Sequence, residues 1–248
     1  MKNLFIVSSD HHVPFHNKKL MKGFMNLISD LQPKLAGFYL IGDFMDINSL
    51  SFHDIGRIKI KGINLKKEFE IGNSILNEFD ERLGKVPKYY LYGNHEDRAL
   101  RHLKTVDGAK LGDLIHPTVQ LNLKERGYQV KENWKEDYFM LGNFLELIHG
   151  QYLNIHVAKK HIDVFKSSVM FGHTHRKQTY IEGNMGGFNI GHMADENQAA
   201  FSYQSRGMKK RHLNGFAIVT IDKEGFYYVN DITAFKDKFY YNGKKYGG

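Results

Sequence analysis

Short apolar runs alternate with longer amphipathic segments through the first half of the chain, and this alternation limits the fold more than any other feature. Residues 4–8, 37–41 and 89–92 are brief apolar runs ended by glycine or polar residues, which is typical of buried strands. Between them, residues 18–31 and 66–83 carry apolar side chains at helical spacing. The order strand, helix, strand predicts an α/β fold with parallel strands joined by right-handed crossovers.

The second half is richer in strands. Gly142-Asn143 is a turn dipeptide between two apolar runs and predicts a tight hairpin. Residues 216–230 predict a C-terminal hairpin, and residues 183–210, rich in Gly, Asn, Gln and Ser, predict a long surface loop. We found no repeat and no interdomain linker, so a single domain over residues 1–248 is expected. The remaining predicted elements are strands at 138–141, 144–148, 168–171 and 178–181, and a helix at 154–165.

Composition restricts the chemistry that is available. The chain has no cysteine, which excludes disulfides, thiolate zinc sites, iron-sulfur ligation and cysteine nucleophiles. Any metal site must therefore use His, Asp, Glu or Asn. The 42% of hydrophobic and 25% of charged residues match a soluble globular protein, which excludes disordered and fibrous classes.

The charge balance favours an anionic partner. Lys and Arg number 35 against 27 Asp and Glu, a formal net charge of +8, which suits nucleic acid, nucleotides or other phosphorylated substrates. The apolar run at 4–7 is too short for a signal peptide, and no apolar stretch approaches a membrane span. We therefore expect a cytoplasmic protein with no membrane partner; the sequence does not indicate its oligomeric state.

Five polar clusters each follow directly after a predicted strand. They are Asp10-His11-His12, Gly42-Asp43-Phe44-Met45-Asp46, Gly93-Asn94-His95-Glu96, His149-Gly150 and Gly172-His173-Thr174-His175. In open α/β sheets the carboxyl ends of the strands form the ligand crevice, so the clusters are expected to converge. Their carboxylate, imidazole and amide groups suit Mn, Fe, Zn or Mg. Two cations about 3.5 to 4 Å apart need a bridging ligand, for which Asp43 is the candidate.

The clusters resemble the full signature of the calcineurin-like metallophosphoesterases, in the order and rough spacing of that family. The resemblance spans residues 10–175, and its size and arrangement are similar to the small phage and bacterial members. It implies a two-sheet mixed β-sandwich flanked by helices, in αββα layers. It also implies two divalent metal ions, with Mn preferred and Fe, Zn, Ni or Mg as alternatives.

Carried over residue by residue, the resemblance implies two ligand sets that share Asp43. A hydroxide between the ions would attack phosphorus, and His95 would protonate the leaving oxygen. Asp46 would hydrogen-bond His95 and fix its orientation. The first set is Asp10, His12, Asp43 and His175, and the second is Asp43, Asn94, His149 and His173.

The choice of substrate rests on one departure from the family. Ser/Thr protein phosphatases follow the second motif with Arg-Gly, where the Arg grips phosphate, but this chain has Ile47-Asn48. Together with the net charge, this favours phosphodiester hydrolysis on DNA, RNA or nucleotides. The alternatives are a phosphomonoesterase acting on nucleotides or proteins and, in a different class, a catalytically silent nucleic-acid-binding protein.

Several further residues are candidates for substrate contact or for ordinary packing. His11 should point away from His12 and pack, because successive side chains of an extended segment face opposite sides. Glu96 is expected to cap the helix that follows it. Phe201 and Tyr203 lie beside a basic cluster and are candidates for base stacking, although a solvated loop explains them equally well. This basic cluster is Arg206, Lys209, Lys210 and Arg211. The candidate substrate contacts are Arg98, His53, Arg57 and Lys59.

Overall fold

The structure, a computed structural model, describes residues 3–51, 62–202 and 204–248. Its strands are β1 (Leu4–Ser8), β2 (Leu35–Ile41), β3 (Lys88–Leu91), β4 (Tyr128–Lys131), β5 (Phe139–Leu141), β6 (Leu145–Leu147), β7 (Ser168–Phe171), β8 (Lys177–Glu182), β9 (Met185–Ile190), β10 (Asn214–Ile221), β11 (Tyr227–Ala234), β12 (Lys238–Tyr241) and β13 (Lys244–Gly247). Its helices are α1 (Lys18–Leu31), α2 (Leu65–Leu83), α3 (Glu96–Leu103), α4 (Val106–Ala109), α5 (Pro117–Gln120), α6 (Val157–Phe165) and α7 (Arg206–Lys209).

The strands form two large mixed sheets and one hairpin. The first sheet has the order β11-β10-β1-β2-β3-β4, and the second has the order β5-β6-β7-β9-β8. β1 pairs in parallel with β2, and β2 with β3, as the alternation of runs predicts. β6 and β7 are also parallel. The parallel strands therefore end together at one edge of each sheet.

Alternating side chains place the first sheet between two apolar cores. On β1, Ile6 packs in the core that contains α1 and α2, whereas Val7 packs in the core that faces the second sheet. On β2, Phe38 and Tyr39 divide in the same way. A third cluster packs α6 on the outer face of the second sheet. The layers are thus helix, sheet, sheet, helix, which confirms the expected αββα sandwich.

Local sequence explains where the two long helices begin. The Asn17 side chain accepts from the backbone N–H of Leu20 at 3.1 Å, and Asn64 accepts from Lys67 at 2.9 Å. Asparagine is favoured at the N-cap for this reason. Helix α1 then spans the predicted residues 18–31. Within the described ranges, no helix is long and apolar enough to cross a membrane.

The segment 183–210 is not a loop throughout, and in this respect the prediction is wrong. Its first part forms β9, which pairs in parallel with β7 and antiparallel with β8. Glycines concealed this strand, because Gly186-Gly187 reads as a turn. A Cβ on Gly187 would lie 2.6 Å from the carbonyl oxygen of Ala158, so glycine lets α6 pack closely on the sheet.

The C-terminal part contains more strand than the sequence indicated. The hairpin predicted at 216–230 is present as β10 and β11, which pair from Asn214 opposite Ala234 to Ile221 opposite Tyr227. The following residues form a second hairpin, β12 and β13, which packs against α1. Phe239 and Tyr246 of this hairpin are buried in the core with α1.

Candidate metal centre

The carboxyl ends of five strands bring the polar clusters together. Asp10 and His12 follow β1, and Asp43 follows β2. His149 follows β6, and His173 follows β7. β1, β2 and β3 run parallel to one another, and so do β6 and β7. Their last residues therefore meet at one edge of the sandwich, as expected for an α/β ligand crevice. Asn94 and His95 reach the same edge from β3, and His175 from β7.

Five of these residues have left-handed backbone conformations. Their φ angles are 53° at Asp10, 50° at His12, 51° at Asp43, 67° at His173 and 57° at His175. Such conformations cost about 1 to 3 kcal/mol for a residue with a side chain, and they concentrate at functional sites. The turns also need glycine, since a Cβ on Gly93 would overlap the Asp43 carboxylate. The chain thus sustains strain where the clusters converge.

The first predicted ligand set converges on the Asp10 carboxylate. Asp10 Oδ1 lies 3.4 Å from His175 Nε2 and 3.7 Å from His12 Nε2. His12 Nε2 is 3.9 Å from Asp43 Oδ2. These side chains are buried, and Asp10, His12 and His175 each offer one ligand atom within 4.8 Å of the others.

The second predicted set converges on the same oxygen of Asp43, Oδ2. His149 Nε2 lies 3.3 Å from Asp43 Oδ2 and 3.1 Å from Asn94 Oδ1. His173 completes a group with Asp43 and His149 whose ligand atoms lie within 4.8 Å of one another. Asp43 therefore stands between the two sets.

Hydrogen bonds outside the cluster fix which ring nitrogen three of the histidines turn inward. His12 Nδ1 lies 2.9 Å from Asp46 Oδ2, and His149 Nδ1 lies 3.1 Å from the carbonyl oxygen of Ile41. His175 Nδ1 lies 3.0 Å from Glu196 Oε1. Carboxylate and carbonyl oxygens only accept, so each Nδ1 carries a hydrogen, and in the neutral ring each Nε2 presents a lone pair. Metal-ligating histidines are held in this way.

The donor atoms left without partners fit metal ions. Asp10 Oδ1 and His173 Nδ1 are buried and have no hydrogen-bond partner among the described residues. His12 Nε2 and His175 Nε2 face each other at 2.9 Å. Two lone pairs would repel at this distance, so the pair needs either a shared proton or a cation bound by both nitrogens. These buried His and Asp groups can therefore hold metal ions.

The charges of the cluster favour cations. Burial by itself would lower the pKa of His12, but Asp10 and Asp46 outweigh it and raise that pKa to about 10. Burial likewise opposes ionisation of Asp43, yet His149 and His95 hold its pKa well below the usual range. The carboxylates stay ionised and attract a proton or a metal ion.

His95 lies beside the cluster and hydrogen-bonds Asp46. His95 Nδ1 donates to the backbone carbonyl oxygen of Asp46 at 2.9 Å and lies 3.4 Å from the Asp46 carboxylate, which accepts from His12. Arg98 also reaches this point and donates to the Asp46 carbonyl oxygen at 2.9 Å and to His95 Nε2 at 3.1 Å. Burial, with a contribution from the Arg98 charge, lowers the pKa of His95.

Two buried glutamates brace the loops that carry these residues. Glu96 accepts from the backbone N–H groups of Asp43, Met45 and Gly93 at 2.8 to 3.0 Å. It thus ties two ligand loops together, a role larger than the helix capping expected from sequence. Glu68 accepts from the N–H of Asn48 at 2.8 Å.

The remaining residues singled out from the sequence either pack inside the protein or lie outside the described residues. His11 is buried among Phe24, Phe44 and Phe79, which confirms that it packs away from the cluster. Phe201 is buried against the rings of His12 and His175, so the suggestion that it stacks on bases is wrong. The loop folds its aromatic side chain inward to cover the ligands. His53, Arg57, Lys59 and Tyr203 lie outside the described residues.

Sequence reasoning missed two neighbours of the cluster. Trp134 has its ring centroid 5.9 Å from that of His149 and 6.0 Å from that of His173. Glu196 contacts His175 and also His212, at 2.5 Å. Neither lies in a motif; the one available signal was that Trp134 is the single tryptophan, since Glu196 lies in the segment that was predicted to be a loop.

The fold and the cluster together define the class: this chain has the calcineurin-like metallophosphoesterase fold. Vps29 from Cryptosporidium parvum superimposes with a TM-score of 0.51 at 12% sequence identity, over 98% of this chain and 94% of that one. Wild-type Vps29 from Entamoeba histolytica, complexed with Zn²⁺, gives a TM-score of 0.47 at 13% identity, over 98% and 95%.

A curated sequence is also similar. The Gene 54 protein of Mycobacterium phage L5 is 26% identical over 240 residues, which cover 90% of each chain. No protein-family model matches this chain.

Proposed function

We propose that this protein is a dinuclear metal-dependent phosphoesterase that hydrolyses phosphodiester bonds of nucleic acid or nucleotides. The observation that carries the proposal is the position of Asp43, whose carboxylate borders both ligand groups. One ion, which we propose to be Mn²⁺, would be held by Asp10, His12, Asp43 and His175. The other would be held by Asp43, Asn94, His149 and His173.

Bound divalent ions supply a water molecule of lowered pKa and neutralise charge on the phosphate group. The chain's own contribution is to hold the ligands in position beforehand. The Ile41 carbonyl fixes the His149 ring, and Asp46 fixes the His12 ring. Asp10, His12, Asp43, His149 and His175 are buried, and the low local dielectric would strengthen their electrostatic contacts with a bound ion.

His95 is the proposed proton donor to the leaving oxygen. Its Nδ1 is committed to the Asp46 carbonyl oxygen, so Nε2 is the atom that takes up and releases a proton. Nε2 lies 3.8 Å from Asp43 Oδ2, so it would lie beside a phosphate held by the two ions. The neighbouring Arg98 guanidinium makes protonated His95 a stronger acid and offers planar donors to a phosphate oxygen.

Charge near the cluster supports a polyanionic diester. Helix α7 and the residues after it form a basic segment in which Arg206, Lys210 and Arg211 are exposed. His212 directly follows this segment and contacts Glu196, which contacts the proposed ligand His175. Two contacts, from His212 to Glu196 and from Glu196 to His175, therefore link the basic surface to the metal centre. This surface would attract a nucleic-acid backbone towards the centre.

The test compares Mn-loaded protein on four substrates: bis(p-nitrophenyl) phosphate, p-nitrophenyl phosphate, single-stranded DNA and duplex DNA. We expect faster turnover of the diester than of the monoester, and cleavage of at least one DNA. Cleavage of the monoester alone would reject the diester assignment. Retention of DNA that falls with salt, without turnover of any substrate, would identify a silent binding protein.

His95→Ala tests the proton donor on the same substrates. We expect turnover to fall about 100-fold or more where the leaving group is a poor one, and less with p-nitrophenolate, because general acid catalysis matters most for a basic leaving oxygen. Bound metal should be retained. His156→Ala, an exposed histidine at the start of α6, is the control. Equal losses on good and poor leaving groups would contradict the role of His95.

A further inference from the structure

The geometry points to Glu196 as a positioning residue that orients the His175 ring. Because His175 belongs to the first ligand set alone, Glu196 would affect the binding of one metal ion and not of the other. This inference rests on the proposed metal-dependent function, because it concerns the first of the two ligand sets. It extends the site to a residue outside every motif of the sequence. Glu196 lies in the segment 191–212, between β9 and β10.

Three contacts fix the His175 ring. Glu196 Oε1 lies 3.0 Å from His175 Nδ1 and must accept its hydrogen. The His192 ring stacks on His175 with centroids 4.7 Å apart, and Phe201 packs edge-on at 6.1 Å. The ring is therefore held on its faces by packing and at Nδ1 by a carboxylate, which leaves the Nε2 lone pair facing Asp10.

A carboxylate behind a ligating imidazole sets the tautomer and increases the electron density at the metal-binding nitrogen. Loss of such a partner typically lowers metal affinity by about 10-fold to 100-fold. Glu196 can act in this way because its side chain is only 13% exposed, so water does not replace it readily. Among the described residues, no other side chain is within hydrogen-bond distance of His175 Nδ1.

Glu196 also contacts His212, so a purely structural role must be separated from the positioning role. The same oxygen, Oε1, lies 2.5 Å from His212 Nδ1 and 3.8 Å from His192 Nε2. A variant of His212 breaks the link to the basic segment but leaves Glu196 in contact with His175. Positioning requires that Glu196 variants lose metal affinity and that His212 variants keep most of it.

The single tryptophan lies beside the second ligand set and therefore reports most directly on binding there. The Trp134 ring lies about as close to His149 as to His173, and both belong to the second ligand set. Mn²⁺ bound there should quench Trp134 fluorescence strongly because the ion is paramagnetic and near. Occupancy of the first set is obtained from total bound Mn²⁺ measured by equilibrium dialysis.

The experiment measures Mn²⁺ binding to Glu196→Ala, Glu196→Gln, His212→Gln and Asp195→Asn. Asp195 is the matched control, since within the described part of the chain its carboxylate accepts hydrogen bonds only from Asn197 and Gln198 of its own turn. We expect Glu196→Ala to lose about 10-fold to 100-fold in affinity for one ion while Trp134 quenching is retained. Glu196→Gln, which keeps an acceptor oxygen, should recover part of the loss, and the other two variants should resemble the unmodified protein.

A second readout needs no metal. In the metal-free protein the His175 Nδ1 hydrogen should give a downfield NMR resonance that disappears in Glu196→Ala and persists in Asp195→Asn. Unchanged affinity for both ions, equal loss at both, or an equal loss in His212→Gln would overturn the assignment, as would a failure of the unmodified protein to bind Mn²⁺. Selective loss of one ion in a protein that cleaves no phosphoester would instead reject the proposed function and leave the role of Glu196 standing.

Discussion

The inner cluster of aspartates and histidines and the surrounding glutamates are both shielded from solvent, but they differ in how the chain holds them. Inner residues such as Asp43 stand on strained turns directly after strands. The outer residues Glu68, Glu96 and Glu196 come from helices or a long connection and support the inner ones through hydrogen bonds. The residues that can bind metal are therefore placed by the ends of the strands, whereas the orientation of their side chains is fixed by residues from distant parts of the chain.

Asp43→Asn should have the largest effect, because Asp43 borders both ligand groups. We expect both ions to be lost at Mn²⁺ concentrations that saturate the unmodified protein. Turnover should fall by more than about 100-fold, which is the upper value for changing a residue that contacts a metal ligand rather than the metal itself. Equilibrium dialysis, Trp134 quenching and diester hydrolysis measure these effects. The change would thus affect both sites, whereas a change at Glu196 would affect one.

The control for Asp43→Asn is Asp163→Asn. Asp163 makes the same kind of carboxylate contact, 3.0 Å from Lys159, but on the exposed surface of α6. If Asp43→Asn kept one tightly bound ion, Asp43 would belong to one ligand set only. The expected difference between Asp43, which would affect both ions, and Glu196, which would affect one, would then be wrong.

The inner cluster could be predicted because its signals are local. An apolar run followed at once by Asp or His needs only a short stretch of sequence, and β-strand geometry carries the side chain to the sheet edge. The same locality predicted α1 to its ends, where Asn17 provides the cap. Strand β9 was missed because its packing against α6 requires glycines, and glycine locally indicates a turn.

The bracing role of the outer glutamates could not be predicted, since most of their partners lie far away in sequence. Glu96 and Asp43 are 53 positions apart, and Glu196 and His175 are 21 positions apart. Asp46 shows the same limit: its contact with His95 was expected, but its carboxylate also accepts from His12, 34 positions away, and nothing in the sequence indicated that contact. Such pairings depend on tertiary structure.

Glu96→Gln should have the next largest effect, on stability. Each oxygen of Glu96 accepts two hydrogen bonds, including one from the Tyr90 hydroxyl at 2.9 Å. An amide would present NH₂ to two of these donors, and each buried donor left unpaired costs about 1 to 3 kcal/mol. We expect the free energy of unfolding to fall by about 2 kcal/mol or more, measured by urea denaturation of metal-free protein. Glu125→Gln, an exposed change, should have no effect.

An unchanged free energy of unfolding in Glu96→Gln would show that the outer residues do not support the strained turns. The left-handed conformation at Asp43 would then need another source of stability, since Glu96 accepts from the Asp43 N–H. A fall in stability without any fall in Mn²⁺ affinity would show that bracing maintains the fold rather than the ligand geometry.

Glu68→Gln should have the smallest effect, and its sign depends on pH. Burial, with a contribution from Asp46, raises the pKa of Glu68 to about 7 from a usual 4.5. The folded protein therefore holds a proton that the unfolded chain loses between these values, so the contribution of Glu68 to stability falls as pH rises from about 4.5 to 7. Glutamine cannot ionise and escapes this loss.

We therefore expect Glu68→Gln to gain stability relative to the unmodified protein on going from pH 5 to pH 8, by about 1 kcal/mol or more, given about 1.4 kcal/mol for each pKa unit. Urea denaturation of metal-free protein at the two pH values measures the difference. Glu81→Gln, an exposed change on the same helix, should show no such trend. A difference independent of pH would mean that Glu68 stays ionised in the fold, and that its bond to the Asn48 N–H outweighs burial.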